Sequence, residues 1–159
     1  MEFTIRKAVK EDMFAVHACI CELAAFEKEA DAVEISVEDL QRDGFSENPL
    51  FEVFVGLVGN EIVGIALFYN RYSTWKGKTI HLEDLIVKEA YRGKGIGKAL
   101  YNKVLAYGFE LGLKRIEWNV LDWNTNAVNF YKSTGANVLE DWQVVQMDSE
   151  GLKKHIQSL

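Results

Sequence analysis

Hydrophobic positions in the first third of the chain change their spacing from that of a strand to that of a helix. Residues 2–8 alternate apolar and polar side chains, which predicts a short first strand. Apolar residues then recur every three or four positions over residues 11–27, which predicts a first helix. Ser36, with Asp39 three positions later, is typical of a helix N-terminus, so a short second helix is expected to end at Gly44.

The middle of the chain carries three strand-like runs, at residues 51–58, 61–72 and 78–87. Only two residues, Gly59 and Asn60, separate the first two runs, and this short step predicts a tight hairpin. Three strands joined in this way are expected to form an antiparallel meander.

The last part of the chain alternates helical and strand-like segments. The pattern predicts a long helix over residues 96–112, a strand at 114–121, a helix over 123–135, and a strand at 141–147 before a last short helix. The whole order predicts an α+β fold with one mixed, mostly antiparallel, twisted sheet that carries helices on both faces.

Composition is that of an ordinary globular protein, with 48% hydrophobic and 26% charged residues. A length of 159 residues favours a single domain over 1–159. Apolar runs are far shorter than the roughly 20 residues of a membrane-spanning helix, and the first residues lack the pattern of a signal peptide, so we expect a cytoplasmic protein. The net charge of −6 argues against nucleic acid or an anionic membrane as the main partner.

Cysteines and histidines give no sign of a metal site. Cys19 and Cys21 are two apart in a helical pattern, so they point to different faces, and this spacing suits neither a disulfide nor a metal knuckle. The histidines His17, His81 and His155 are scattered along the chain. We therefore predict no metal and assign these residues no role.

Charge is unevenly distributed along the chain. Residues 22–52 hold ten acidic and two basic side chains, whereas residues 88–103 hold five basic and one acidic. The first segment is suited to a cation and the second to an anion, but two solvated helix faces would give the same pattern. Charge alone leaves these two interpretations about even.

The basic segment contains glycines at 93, 95 and 97, between a predicted strand and a predicted helix. Glycines there let the backbone approach a ligand closely, and the start of a helix directs unpaired N–H groups at an anion. The spacing excludes a Walker A loop, because Ala99 follows Gly97-Lys98 and Arg92 stands where the first glycine is needed. It also excludes a dinucleotide fingerprint, because Lys98 takes the place of its last glycine.

The spacing Arg92-x-x-Gly95-x-Gly97 after the apolar strand resembles the pyrophosphate loop of the GNAT superfamily of N-acetyltransferases. The resemblance implies acetyl-CoA as co-substrate, with the backbone of Leu85, Ile86 and Val87 pairing with its pantetheine arm as an added strand would. The pyrophosphate cradle that it implies consists of Arg92, Gly93, Lys94, Gly95, Ile96, Gly97 and Lys98. A glycine-rich turn that binds nothing is the alternative, and the local positive charge argues against it.

Further segments, in the same order, resemble the diamine and polyamine branch of this superfamily, from Ile5 to Ala136. They include "ELAAFEKEAD", "HLEDLIV" and "NAVNFYKSTGA", and "YSTWKG" and "VLDWN" look closer to thialysine N-epsilon-acetyltransferases than to spermidine/spermine N-acetyltransferases. The resemblance implies acetyl transfer to a small cationic amine by direct attack in a ternary complex, in an enzyme that is usually a homodimer. Acetylation of a protein amine and a CoA-binding module without activity are the alternatives.

Two residues carry the chemistry that the resemblance implies. Glu83 corresponds to the general base, and the strand pleat is expected to place it on one face with His81, Leu85 and Val87. Tyr131 corresponds to the proton donor to the leaving thiolate. Without the resemblance, Glu83 would be interpreted as part of a cross-strand ion pair and Tyr131 as a packed helix residue.

The resemblance also implies contacts for both substrates. Asn124, Thr125, Asn126, Ala127 and Tyr131 correspond to the segment that contacts the CoA arm, and Asn124 could also cap its helix. The residues expected to contact the amine are Phe26, Glu27, Trp75, Asp84, Glu117, Trp118 and Asn119. Spermidine-type members often have an aspartate before the tryptophan of this loop, where this chain has Ser73 and Thr74, and the difference favours a shorter amine or an amino acid with a side-chain amine.

Overall fold

The computed structural model describes residues 1–159 and divides the chain into two compact units, Met1–Asn119 and Val120–Leu159. The elements of the first unit are, in chain order, β1 (Thr4–Lys7), α1 (Met13–Phe26), α2 (Val37–Gly44), β2 (Glu52–Val58), β3 (Glu61–Ser73), β4 (Gly77–Val87), α3 (Ile96–Glu110) and β5 (Ile116–Glu117). Among all the helices, none is both long enough and apolar enough to span a membrane.

The five strands form one sheet in the order β1-β2-β3-β4-β5. Neighbours pair antiparallel from β1 to β4, and β5 adds to β4 in parallel. The sheet is mixed and mostly antiparallel, so the predicted fold class is confirmed. The predicted hairpin between β2 and β3 is also present, since Val58 pairs with Glu61 across a two-residue turn.

One face of the sheet packs against α1 and α2. Its core contains Met13, Val16 and Cys19 of α1 and Leu40 of α2, and they meet alternate apolar residues of the strands. Those strand residues are Val53, Val55, Leu57, Ile65, Leu67 and Ile86. Period-two alternation on the strands and helical spacing on α1 thus bury the same cluster, as the pattern predicted.

The opposite face packs against α3. Ile96 and Leu100 approach the sheet at Gly56 and Gly64, where added Cβ atoms would come within 3.0 and 3.2 Å of them, respectively. A β-carbon on Gly64 would also lie 2.8 Å from the carbonyl oxygen of Ile86, so this position requires glycine. Helices therefore cover both faces, and this expectation is confirmed.

The second helix begins with the predicted cap. Ser36 Oγ accepts a hydrogen bond from the Asp39 backbone N–H at 3.1 Å, and the Asp39 carboxylate accepts one from the Ser36 N–H at 2.9 Å. These hydrogen bonds to the charged carboxylate lower the pKa of Asp39 to about 2. Reciprocal capping satisfies donors that would otherwise lack partners at the helix start.

A β-bulge interrupts β4 at Glu83. Leu67 pairs with Asp84 but Phe68 pairs with Leu82, so Glu83 is the extra residue on its strand. Beyond the bulge, Ile86 belongs to the α1 face, and Val87 lies against Gly64 and Gly97 on the α3 face. The expected uninterrupted alternation across residues 81–87 is therefore wrong, because the bulge shifts the register by one residue.

The second unit contains α4 (Thr125–Ser133) and α5 (Ser149–Gln157), both expected from the sequence. Residues 141–147 form no strand, so the strand predicted there is wrong. Alternation alone does not make a strand, since its backbone groups need a neighbouring strand, and within this chain residues 141–147 have none. The strand predicted at 114–121 is likewise shorter, because pairing stops at Glu117.

Candidate active site

The glycine loop and the start of α3 form a concentration of backbone N–H groups. Gly93 and Gly95 have positive φ angles of 73° and 85°, and nothing lies within 4 Å of the position of a Cβ on either residue. The first helical hydrogen bond here runs from Ala99 N–H to Gly95 O at 2.9 Å, which leaves the earlier N–H groups of α3 available. This arrangement fits the pyrophosphate of acetyl-CoA, a ligand that needs an anion cradle.

Arg92 ties this loop to β4 and α1. Its Nε donates to the carbonyl oxygen of Val87 at 2.9 Å, and its guanidinium lies 5.2 Å from the centre of the Phe26 ring. Glu22 lies 3.8 Å from Arg92 and also accepts a hydrogen bond from the Glu89 N–H at 3.0 Å. Two predicted site residues, Phe26 and Arg92, are thus in contact, and Glu22 is a neighbour that the sequence did not single out.

One edge of β4 lacks a partner strand over its second half. Leu85, Ile86 and Val87 pair with β3 on one side, whereas β5 pairs only with Ile80 and His81 at the first half of the strand. Backbone groups at an unpaired edge can accept an added strand-like ligand. The predicted pantetheine contact with residues 85–87 therefore fits the strand arrangement.

The Glu83 carboxylate lies on the α1 face with two partners. Tyr69 Oη donates to Glu83 Oε2 at 3.0 Å, and His81 Nε2 lies 3.4 Å from the same oxygen. Burial, together with the hydrogen bond and the negative charge of Glu83, raises the pKa of Tyr69. Glu83 therefore shares a face with His81, as expected, although Leu85 and Val87 do not share it.

Three carboxylates converge at this point. Asp84 follows the bulge, and its pKa is raised to about 6 by burial and then by the negative charges of Glu83 and Glu27. Burial also raises the pKa of Glu27, which follows the last residue of α1. Mutual repulsion of this kind is relieved by a cation, so the cluster is electrostatically suited to a protonated amine.

The other predicted amine contacts of the first unit lie elsewhere. Trp75 is 80% exposed at the turn between β3 and β4, about 20 Å along the strand from the carboxylates. Glu117 is paired with Arg71 and with Arg115, the latter at 2.9 Å. The Trp118 ring meets Tyr101 of α3 edge to face at 5.5 Å, away from the α1 face. The roles assigned to these three residues and to Asn119 stay predictions.

In the second unit, Asn124 caps α4. Its side-chain oxygen accepts a hydrogen bond from the Ala127 N–H at 3.3 Å, so its predicted capping role is confirmed. Thr125, Asn126 and Ala127 form the first turn of this helix, and Tyr131 on the next turn is 9% exposed beside Phe130. The cofactor contacts and the acid role assigned to this segment stay predictions.

Sequence reasoning gave no role to two residues beside Glu83, Tyr69 and His81. Period-two spacing placed His81 on the same face as Glu83, but a scattered histidine carried no further signal. Tyr69 had no such signal, because its approach to Glu83 depends on the pairing of β3 with β4.

Comparisons with known proteins agree with this geometry. Residues 16–136 match the model of the acetyltransferase (GNAT) family. An integron cassette protein from V. cholerae superposes with a TM-score of 0.81 over 99% of each chain, at 24% identity, which shows a shared fold. The molecule therefore has an acetyltransferase fold with an acetyltransferase sequence signature.

Similar sequences indicate the branch of acetyltransferases to which the chain belongs. A thialysine N-epsilon-acetyltransferase from Sus scrofa is 40% identical, over 94% of this chain and 95% of its own. A spermidine/spermine N(1)-acetyltransferase-like protein from Homo sapiens is 35% identical, over 94% of this chain and 23% of its own. The chain belongs to the GNAT family, in its diamine and polyamine acetyltransferase branch. It is an acetyl-CoA-dependent N-acetyltransferase.

Proposed function

We propose that this enzyme acetylates the terminal amine of a small cationic acceptor, with thialysine and other lysine-like amino acids as the best candidates. The observation that carries the proposal is the convergence of Glu27, Glu83 and Asp84 beside the unpaired edge of β4. Three carboxylates close together favour a ligand with positive charge, and the adjacent edge is where a pantetheine arm would fit.

Glu83 is proposed as the base for this reaction. An alkylamine has a reference pKa around 10.4, so at neutral pH it must lose a proton before it can attack a thioester. Glu83 would take that proton, directly or through a water molecule, on the strand that also carries the pantetheine contacts. Acetyl-CoA supplies the activated acetyl group when it is bound.

Tyr131 is proposed as the acid. Its hydroxyl would donate a proton to the departing thiolate, which makes the thiolate a better leaving group. The chain then needs no covalent acyl-enzyme. In keeping with this, Cys19 is buried in the core, and burial raises the pKa of its thiol to about 11, which suppresses the reactive thiolate.

The length of the acceptor follows from the β3–β4 turn. Ser73 and Thr74 provide no carboxylate there, and Ser73 Oγ accepts hydrogen bonds from the N–H groups of Trp75 and Lys76, both at 3.2 Å. A long polyamine would find no negative charge at this turn for its distal amine. The relative from Sus scrofa is a thialysine N-epsilon-acetyltransferase, which agrees with a shorter acceptor.

A panel of acceptors tests the proposal. Release of the CoA thiol is measured with thialysine, lysine, ornithine, putrescine, spermidine, spermine and a lysine-containing peptide under identical conditions. We expect kcat/KM for thialysine or lysine to exceed that for spermine by about tenfold or more, equivalent to one charge contact. Preference for the peptide would instead indicate a protein acetyltransferase, and no turnover with any free amine would rule out the proposed acceptor class.

We also propose a homodimer. Residues 139–147 expose several large apolar side chains: Leu139, Trp142, Val144, Val145 and Met147. Apolar side chains that cluster in one exposed segment are typical of an interaction surface. A second copy of the chain is the partner that we propose for this segment.

A further inference from the structure

Two polar aromatic side chains from neighbouring strands meet at a single oxygen of Glu83. Tyr69 and His81 are directly opposite each other in the β3–β4 pairing, and their ring centres are 5.3 Å apart. Tyr69 Oη lies 3.0 Å and His81 Nε2 lies 3.4 Å from Glu83 Oε2. The other carboxylate oxygen, Oε1, has no protein partner in the first unit.

The bulge explains why Glu83 and Asp84, although consecutive, both lie on this face. An inserted residue breaks the alternation of a strand and redirects its side chain, and bulges recur beside active sites for this reason. Here the inserted residue is Glu83 itself, between Leu82 on the α3 face and Asp84 on the α1 face. The insertion lets Glu83 share a face with His81 while the following residue, Asp84, still faces α1.

His81 is an unusual residue for this position. Its side chain is buried, with 8% of the residue exposed, and its Nδ1 has no hydrogen-bond partner. Buried polar atoms are rarely left without a partner, so this one calls for a reason. A carboxylate can only accept hydrogen bonds, so His81 gains most as the tautomer with its proton on Nε2, directed at Glu83.

We infer that Tyr69 and His81 are positioning residues for Glu83: both hold Oε2 and thereby present Oε1 to the acceptor amine or its bridging water. The inference rests on the proposed role of Glu83 as the base. The His81 contact is long for a hydrogen bond, as is common in active sites without substrate, and it tightens when Glu83 is fully charged beside a bound amine.

The charged groups around Glu83 leave its support to its polar neighbours. On the α1 face Glu83 lies beside Asp84, whose pKa is raised by burial and in part by the negative charge of Glu83. Farther along the sheet, Arg71 and Arg115 are both paired with Glu117, so they are engaged with a carboxylate of their own. Tyr69 donates to Glu83 itself and His81 Nε2 lies 3.4 Å from the same oxygen, so these two residues are placed to hold the carboxylate.

Tyr69→Phe tests the inference with little loss of packing. Without one donor, the ionised form of Glu83 is less stable, so the acidic limb of the pH profile of kcat/KM should move to higher pH. We expect kcat to fall about tenfold, as for a lost hydrogen bond to a charged group, with the KM for acetyl-CoA unchanged. Tyr107→Phe is the matched control, because Tyr107 donates to Glu52 at 3.0 Å away from this site and its loss should leave the profile in place.

The positioning role of His81 is tested with a pair of variants. His81→Phe keeps a ring but removes the donor, and it should shift the acidic limb in the same direction as Tyr69→Phe. His81→Gln keeps an N–H donor near the position of Nε2 and should restore at least part of the lost kcat. Equal defects in both variants, or no defect in His81→Phe, would show that an N–H donor at this position does not support Glu83.

Glu83→Gln separates this inference from the function on which it rests. If Glu83 is the base, this variant loses the acidic limb, and adding Tyr69→Phe to it has little further effect because the two residues act together. An unchanged profile in Glu83→Gln would overturn the proposed base. A lost limb in Glu83→Gln, combined with an unmoved limb in both Tyr69→Phe and His81→Phe, would overturn the positioning role alone.

Discussion

At the residue scale, the site is defined by carboxylates that differ in what surrounds them. Asp84 is held near Glu83 and Glu27, which raises its pKa, whereas Asp12 accepts hydrogen bonds from Arg6, which lowers its pKa. Like charges kept together cost stability, and proteins accept that cost most often at functional sites. The proposed amine site around Asp84 is therefore also a place where the fold gives up stability.

Asp84→Asn should stabilise the protein at neutral and alkaline pH. The pKa of Asp84 is about 6 in the folded protein against an ordinary value of 3.8, so the folded state binds this proton more tightly than the unfolded state. Its ionisation therefore costs stability progressively as the pH rises from about 4 to above about 6. The asparagine variant avoids this cost, and we expect a gain of about 1–3 kcal/mol at pH 8 that vanishes near pH 4.

Urea unfolding of wild type and variant between pH 4 and pH 8 measures this gain. Asp12→Asn is the control with the opposite sign, because hydrogen bonds from Arg6 lower the pKa of Asp12 and the folded state favours its charged form. That variant should lose stability at neutral pH, and its deficit should shrink in acid. A gain for Asp84→Asn that does not change with pH would contradict the electrostatic explanation.

Sequence reasoning at this scale depended on whether a residue's role is local. Asn124 and Ser36 were predicted as caps because a cap needs only a polar side chain and an N–H group a few residues later. Tyr69 was not predicted, because its contact with Glu83 joins residues on two strands. Trp75 follows the family pattern in sequence, yet it lies at the exposed end of a hairpin. No local feature of the sequence indicates how far this end is from the carboxylates.

At the element scale, the segment from β4 through the glycine loop to α3 contributes both the unpaired edge and the anion cradle. Gly95 is the N-cap of α3 and has a left-handed conformation, so the direction in which the helix leaves the loop depends on it. Side chains other than glycine adopt this conformation at a cost. A small substitution in this loop is therefore expected to alter the proposed pyrophosphate cradle.

Gly95→Ala should weaken acetyl-CoA binding beyond its effect on stability. A β-carbon at φ 85° costs about 1–2 kcal/mol, and relaxation of that strain would turn the first N–H groups of α3 away from the pyrophosphate. We expect the dissociation constant for acetyl-CoA, measured by calorimetry, to rise about tenfold or more, as for one lost charged hydrogen bond.

Gly59→Ala is the matched control for this variant. Gly59 also has a positive φ, 59°, but lies in the β2–β3 turn, with nothing within 4 Å of its Cβ position. It should lose a similar amount of stability and keep its affinity for acetyl-CoA. Equal affinity losses in the two variants would mean that the loop acts only through overall stability.

Most elements followed from periodicity, and the exceptions share a cause. Strands β2, β3 and β4 and helices α1, α2, α3 and α4 lie within a few residues of their predicted bounds. The bulge at Glu83 was not predicted, because one inserted residue is visible only in the cross-strand register between Leu67 and Phe68. Residues 141–147 have the alternation of a strand but no strand beside them, and a single chain's pattern cannot supply that neighbour.

At the scale of the whole molecule, the chain consists of two compact units, yet the family match over residues 16–136 crosses the boundary after Asn119. The single domain expected from the length of the chain stays a prediction. Residues after 136 lie outside the match, and they include the whole exposed apolar segment, residues 139–147.

The proposed homodimer is tested by a substitution that places a charge in the exposed apolar segment, residues 139–147. Val145 is 92% exposed, so Val145→Lys should leave the folding of each chain intact and disrupt contact with a second copy. We expect sedimentation equilibrium to give a dimer mass for wild type and a monomer mass for the variant. Leu159→Lys, at a residue 91% exposed at the end of the chain, is the control and should remain dimeric. A monomeric wild type would contradict the proposal.

Arg92 links two parts of the candidate active site. It hydrogen-bonds β4 at Val87, stands in the glycine loop, and lies over Phe26, whose neighbour Glu27 belongs to the carboxylate cluster. Ordering of the loop by one substrate would therefore fix the end of α1 for the other, and the effect must be equal in both directions because coupling free energies are reciprocal. Through this one side chain, the proposed sites for the two substrates are linked, and we expect the binding of each substrate to increase the affinity for the other.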